Sequence, residues 1–102
     1  MNDPLIAAEA RDDLTNIWSE IARNRDANSA DRTNAKILEK CRAHARFPET
    51  GRLREDLGRE LRSFPVPPYV VFFRPVEGSI EVLRIIHGRR DVDRIMRRWR
   101  DS

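Results

Sequence analysis

Two short segments in the second half of the chain constrain its fold more than any other feature of the sequence. Residues 69–74 and 80–87 are rich in β-branched and aromatic side chains, which favour strands. Pro75 and Gly78 lie in the short connection between these segments and favour a turn. The arrangement predicts two antiparallel strands joined as a hairpin, with a third strand over residues 60–64. Such a sheet has an apolar face that other elements must cover.

Two helices are predicted ahead of these strands. Over residues 9–24 the large apolar side chains recur at the spacing of one helical face, and we interpret this stripe as core. It consists of Leu14, Ile17, Trp18 and Ile21. A second helix is predicted to run to residue 46, with Asn28 or Ser29 as its N-cap. Its thinner stripe consists of Ala30, Ile37, Leu38, Cys41 and Ala45. A short polar break between the helices predicts an antiparallel helical hairpin across the sheet.

The connections are predicted from prolines and isolated apolar residues. In the polar connector after the second helix, Leu53 and Leu57 are the predicted anchors to the core. Proline has no N–H to donate and cannot occupy a central ladder. Pro65, Pro67 and Pro68 are therefore predicted to form the loop between the first and second strands.

The two ends of the chain carry weaker signals. Residues 4–8 are short and apolar, and they fit either an opening edge strand or the lead-in to the first helix. Near the C-terminus, apolar side chains return to helical spacing after Asp91, which is a good N-cap. A short final helix is therefore predicted over residues 92–99. Taken together, these elements predict an α+β fold in which a helical hairpin packs on a three- to four-stranded antiparallel sheet. Residues 1–102 are expected to form a single domain.

Almost all basic residues of the chain are arginines. The net charge is +3, and only Lys36 and Lys40 of the 20 basic residues are lysines. The C-terminal segment is the most basic, and its arginines are Arg84, Arg89, Arg90, Arg94, Arg97, Arg98 and Arg100. Such a surface suggests an anionic partner, either nucleic acid or an acidic protein segment. A solvated helix face explains the same charges, and both interpretations stay open here.

Several functional classes find no support in the sequence. Cys41 is the single cysteine, which excludes an internal disulfide, and its place on a helical stripe predicts a buried, unreactive thiol. One cysteine and two separated histidines make no zinc pattern, so no metal or cofactor is expected. The longest apolar run is far too short to span a membrane. We therefore expect a cytoplasmic protein with no membrane partner.

Four local patterns resemble one known family. Residues 10–18 (ARDDLTNIW) resemble its A-x-x-D-L-x-x-I helix, and residues 47–52 (FPETGR) resemble its P-x-x-G-R turn. Residues 61–62 (LR) followed by 69–74 (YVVFFR) resemble its L-R-x-f…Y-x-i-x-Y-R strands. Residues 82–91 (VLRIIHGRRD) resemble its H-G-x-R-D ending. In this order and spacing, they make the chain similar to toxins of the type II RelE/ParE superfamily.

The resemblance covers about residues 5–96 and implies one of two activities. RelE-like members are ribosome-dependent endoribonucleases, whereas ParE-like members lack that activity and poison DNA gyrase. Members of both branches are neutralised by a small antitoxin whose C-terminal segment wraps the toxin. The resemblance therefore implies a cognate antitoxin, bound in a heterodimer or a heterotetramer.

The residues at the family's catalytic positions favour the ParE-like branch. RNA cleavage by 2′-OH attack needs a base, an acid and cations for the phosphorane charge. Arg90 stands where the family has its arginine after the last strand. In contrast, Val70 replaces the strand arginine of RelE-like chains, Met96 replaces their C-terminal tyrosine, and their lysine pair falls near Gly58 and Glu60. A site with these substitutions lacks most of the chemistry that cleavage requires.

We therefore expect a ParE-like toxin that stops DNA gyrase by binding, with no chemistry of its own. Its predicted target-binding residues are Arg89, Arg90, Arg94, Arg97 and Arg98. The main alternative is a RelE-like endonuclease that acts on ribosome-bound mRNA, and its candidate catalytic residues are Arg62, His87 and Arg90. A further alternative is a chain with this fold that is no longer toxic or acts on another target. A structural role competes with these assignments, because a histidine at the end of a strand commonly satisfies a backbone hydrogen bond.

Overall fold

The structure, a computed structural model, describes residues 3–100 of the chain and the side chains of residues 3–97. Its helices are α1 (Ala8–Asn24), α2 (Ala27–Arg46) and α3 (Val92–Arg100). Its strands are β1 (Leu5–Ile6), β2 (Arg52–Leu53), β3 (Arg62–Val66), β4 (Tyr69–Val76) and β5 (Ser79–His87). Within the described residues these strands form one sheet in the order β1-β5-β4-β3-β2. The predicted α+β class, helical hairpin and short C-terminal helix are all confirmed.

The predicted hairpin of β4 and β5 is the longest ladder of the sheet and lies at its centre. Gly78 in its turn has φ of 73°, a conformation that glycine adopts without steric cost. The five described strands exceed the three to four expected, because short β1 and β2 extend the sheet at its two edges. β1 pairs in parallel with β5, so the opening segment forms a two-residue strand and then leads directly into α1.

The prediction that Pro65 lies in a loop was wrong. Pro65 lies within β3 and is paired with Val70 of β4. On the other side of β3, β2 pairs only with Arg62 and Ser63 among the described residues. At Pro65, β3 therefore has a neighbouring strand on one side only, and proline is tolerated at such an edge position. β3 consequently runs to Val66, two residues beyond the predicted end of the strand at residue 64.

The helical hairpin covers one face of the sheet. The buried residues of this hairpin-side core are Ala10, Ile17, Ile37, Cys41, Ala45, Phe64, Val66, Val71, Phe73, Ile80, Val82 and Ile85. Leu14 and Ile21 pack at its margin. Cys41 is fully buried, and burial raises the pKa of its thiol to about 12. The predicted burial of the thiol is therefore confirmed, and the raised pKa disfavours the reactive thiolate.

Two details of the helical hairpin differ from the prediction. Trp18 is not a core residue: it is 36% exposed, and its indole N–H donates to Asp31 Oδ1 at 2.8 Å. The N-cap of α2 is Asp26 rather than Asn28 or Ser29. Asp26 Oδ1 accepts the backbone N–H of Ser29 at 2.7 Å, and this bond lowers the pKa of the Asp26 carboxyl. The helix thus begins earlier than predicted, because Asp26 provides an acceptor two to three residues ahead of the predicted caps.

A second core lies on the opposite face of the sheet. Its buried residues are Leu57, Leu61, Phe72, Leu83, Ile86 and Met96. The connector before β3 and helix α3 supply the cover on this side. Leu57 is fully buried, as predicted, but Leu53 is 45% exposed because it lies in the edge strand β2 rather than beneath the connector. The sheet is therefore enclosed on both faces, whereas the sequence patterns predicted only that the helical hairpin would cover one face.

His44 joins the C-terminal end of α2 to the sheet. Its ring stacks on Phe64 with centroids 4.1 Å apart and planes 8° from parallel. The Thr50 hydroxyl donates to the Phe47 carbonyl at 2.7 Å, so His44 Nδ1–H donates to the Thr50 oxygen at 2.9 Å. Burial lowers the pKa of His44, and the charge of Lys40 adds to this effect. The lowered pKa favours the neutral ring.

We predict that stability falls between neutral and mildly acidic pH because of His44. Its pKa is lower in the folded chain than the ordinary 6.5, so the unfolded chain binds more protons as the pH falls below that value. The free energy of unfolding is then highest above pH 6.5 and decreases until the folded pKa is passed. His44→Phe keeps a stacked ring but does not titrate, and it should flatten this part of the profile. Urea denaturation at a series of pH values measures the effect; equal slopes for both chains would contradict it.

Met96 tests whether the second core stabilises the fold. We expect Met96→Ala to lower the free energy of unfolding by about 2–4 kcal/mol, because it leaves a cavity in a fully buried cluster. Leu53→Ala is the matched control, since the half-exposed Leu53 should lose only about 0.5 kcal/mol. Urea denaturation of both variants gives the comparison. Equal losses would show that α3 does not pack as described.

Candidate functional site

A groove runs between α1 and the C-terminal half of β5. We call it the α1–β5 groove, and its volume is about 340 Å³. Its lining residues are Asp13, Asn16, Ile17, Glu20, Tyr69, Arg84, Ile85, Ile86, His87, Arg89, Arg90 and Ile95. Acidic side chains come mainly from α1, whereas basic ones come from β5 and the corner that follows it. Between them, isoleucines supply an apolar surface, so the groove suits a peptide with both charged and apolar side chains.

Asp13 and Arg84 form a two-point ion pair in this groove. Arg84 Nε donates to Asp13 Oδ2 at 2.8 Å, and Nη2 donates to Oδ1 at 2.9 Å. The backbone N–H of Ile85 also donates to Asp13 Oδ2, at 2.8 Å. The hydrogen bond to Asp13 raises the pKa of Arg84. Such a bidentate, charge-assisted pair fixes α1 against the exposed side of β5.

His87 lies at the far end of the groove and is held by the backbone around it. Its ring meets Tyr69 edge-on, with centroids 5.7 Å apart. The N–H of Arg89 donates to His87 Nδ1 at 3.2 Å, so the neutral ring carries its proton on Nε2. Burial raises the pKa of Tyr69, and the charge of Glu20 adds to the shift. His87 therefore does satisfy a backbone hydrogen bond, the structural role that competed with catalysis.

The corner between β5 and α3 presents a cluster of exposed arginines. Gly88 N–H donates to the Pro68 carbonyl at 2.8 Å, and Arg90 N–H donates to the His87 carbonyl at 3.0 Å. Asp91 Oδ1 accepts the N–H of Arg94 and caps α3, as predicted. The exposed members of this basic corner are Arg89, Arg90, Arg94 and Arg97. Arg98 lies in the same helix, but its side chain falls outside those described.

The structure brings together only part of the nuclease candidate set. His87 and Arg90 both line the α1–β5 groove, but Arg62 does not. Arg62 pairs with Phe73 of β4, whereas His87 pairs with Tyr69 of the same strand. These two partners are four residues apart, which corresponds to about 13 Å along the strand. Its guanidinium instead donates to the Gly51 carbonyl at 3.4 Å. The three candidates therefore do not surround a common phosphate position.

Two of the replaced catalytic positions share one environment. Met96 is fully buried in the second core, and Val70 packs against the same cluster. In the RelE-like chains that this one resembles, an arginine stands at the position of Val70 and a tyrosine at the position of Met96. Here that part of the molecule is apolar packing, with no polar group from either residue to contact RNA.

No group of His, Cys, Asp and Glu among residues 3–100 is arranged to hold a metal ion. Within the same residues, no helix combines the length and the apolar character needed to cross a membrane.

Most lining residues of the groove were not identified as site residues from the sequence, among them Asp13, Glu20 and Tyr69. Asp13 and Glu20 lie on the polar side of α1, and Tyr69 begins β4. The sequence offered one signal, since Asp13 is the aspartate of the A-x-x-D-L pattern. The partners of these residues lie far along the chain, so that pattern alone did not reveal the groove.

Comparison with known proteins identifies the family. The model of the ParE toxin of the type II toxin-antitoxin system parDE matches residues 5–92. Toxin ParE3 of Caulobacter vibrioides is 31% identical over 77 residues, which cover 76% of this chain and 77% of that protein. A chain of the chromosomal ParDE TA system from P. aeruginosa has a similar fold, with a TM-score of 0.73 at 21% identity. The match covers 85% of this chain and 96% of that one.

The family model spans most of the chain, and the predicted ParE-like branch is confirmed over the RelE-like alternative. The chain therefore belongs to the ParE toxin family of type II toxin-antitoxin systems, whose members have a cognate antitoxin.

Proposed function

We propose that this toxin acts in the cytoplasm by binding DNA gyrase through its basic corner, without chemistry of its own. The observation that carries the proposal is the burial of Met96 and Val70, which leaves apolar packing where RelE-like chains have catalytic groups. A toxin without those groups must act by occupying a surface of its target. Gyrase is the target that resemblance to the ParE-like branch implies.

The basic corner is well suited to hold a target. Its four described arginines are exposed, and within the described side chains none of them forms an ion pair. Arginine offers a planar fork that binds carboxylates and phosphates in two-point contacts. The hydrogen bonds of Gly88 and Arg90 hold the corner in one conformation, so little order has to be gained on binding.

The α1–β5 groove is the proposed seat of the antitoxin. Arg89 and Arg90 belong both to this groove and to the basic corner. A segment that lies in the groove would therefore also cover part of the target-binding surface. This overlap gives a physical account of neutralisation, and we propose that it operates in a heterodimer or a heterotetramer.

The target surface can be tested by supercoiling with purified gyrase. The toxin should inhibit supercoiling, and Arg89→Ala combined with Arg90→Ala should raise the required concentration by at least about tenfold, because two charged contacts are lost. Arg42→Ala combined with Arg46→Ala removes the same charge from the exposed side of α2 and should change little. Supercoiling that persists at high toxin excess would contradict the gyrase assignment.

The antitoxin seat can be tested separately. Asn16 is exposed and lines the groove, so Asn16→Trp should obstruct a bound segment without disturbing the core. We expect affinity for the cognate antitoxin, measured by calorimetry, to fall by at least about tenfold, because a bulky ring must be displaced. Asn28→Trp, on the exposed start of α2, is the matched control. Equal affinities for the two variants would place the antitoxin elsewhere.

A further inference from the structure

The outer edge of β5 is only partly covered by β1. Leu5 and Ile6 pair with Glu81 and Val82, and the Ala7 N–H donates to the Val82 carbonyl at 2.9 Å. The chain then turns into α1, whereas β5 continues to His87. Among the described residues, no strand lies beside the remaining part of β5 on this side. An open edge of this kind is a template to which another strand can add.

One backbone group of this open edge is already occupied. The Ile85 N–H points away from β4 and donates to Asp13 Oδ2 at 2.8 Å. A strand that added to β5 would need this N–H as a ladder donor. Asp13 therefore takes the place of a strand carbonyl, although it belongs to a helix.

Arg84 holds the carboxylate in position. Its two hydrogen bonds occupy both oxygens of Asp13. The side chain of Arg84 is only 24% exposed and that of Asp13 only 13%. A β-bulge makes this arrangement possible: Phe73 pairs with Val82 while Phe72 pairs with Arg84, so β5 contains an extra residue. The neighbouring residues Arg84 and Ile85 can therefore both contact Asp13, one by its side chain and the other by its backbone.

We propose that Asp13 and Arg84 form an edge guard that closes the C-terminal half of β5 to an added strand. The strand that it excludes in the purified protein is the β5 edge of a second copy of this chain. Two identical edges can pair antiparallel about a two-fold axis. The guard is independent of the proposed target, because it concerns only the toxin's own sheet.

Substitutions at Asp13 separate this role from simple stabilisation. Asp13→Ala removes the acceptor, frees the Ile85 N–H and should produce larger species as the protein concentration rises. Asp13→Asn keeps an oxygen that can accept from Ile85 but loses the bond from Arg84 Nη2, so it should associate less than Asp13→Ala. Asp12→Ala removes the same charge from an exposed neighbour on α1 and is the matched control. Analytical ultracentrifugation over a concentration series measures the association of each variant.

Amide hydrogen exchange at Ile85 provides the second measurement. The Ile85 amide should be protected in the wild type and in Asp13→Asn, but should exchange rapidly in dilute Asp13→Ala and become protected again when that variant associates. Fast exchange in the wild type would overturn the proposal, even if Asp13→Ala does not fold. A folded Asp13→Ala that never associates would also overturn it, as would equal association of Asp13→Asn and Asp13→Ala.

Discussion

The central ladder between β4 and β5 is the interaction on which the rest of the structure depends. Alternate residues of β4 point to opposite faces, and large apolar side chains lie on both: Val71 and Phe73 pack in the hairpin-side core, while Phe72 packs in the second core. A sheet that is apolar on both faces needs two covering layers. The helical hairpin supplies one, and α3 with the connector before β3 supplies the other. The enclosed second face then has little room for the polar groups of a nuclease.

This enclosure links the fold to the way the toxin acts. With its sheet buried, the molecule leaves its margins for binding, and we propose the α1–β5 groove and the basic corner as the binding surfaces. Arg89 and Arg90 belong to both surfaces, so binding of an antitoxin and binding of a target are expected to compete. From the sequence alone, His87 and Arg90 are candidate catalytic residues. In the structure, however, His87 uses Nδ1 for a backbone bond, and Arg62 lies elsewhere on the sheet.

Much of the fold could be predicted from local patterns, whereas the groove could not. Helical spacing located α1, α2 and α3, and strand composition with a turn located the β4–β5 hairpin, because these signals depend on nearby residues. The strand position of Pro65 depends on how far β2 extends, and the exposure of Trp18 depends on how the two helices face each other. The Asp13–Arg84 contact joins residues 71 positions apart, which no local pattern reveals.

Growth after induction of this chain alone, with DNA damage and translation measured separately, tests the central claim most directly. A toxin that binds gyrase should cause filamentation and a DNA-damage response while translation continues. Immediate arrest of translation with mRNA cleaved inside codons would contradict the account. It would show that His87 and Arg90 perform chemistry despite the apolar packing around Met96 and Val70.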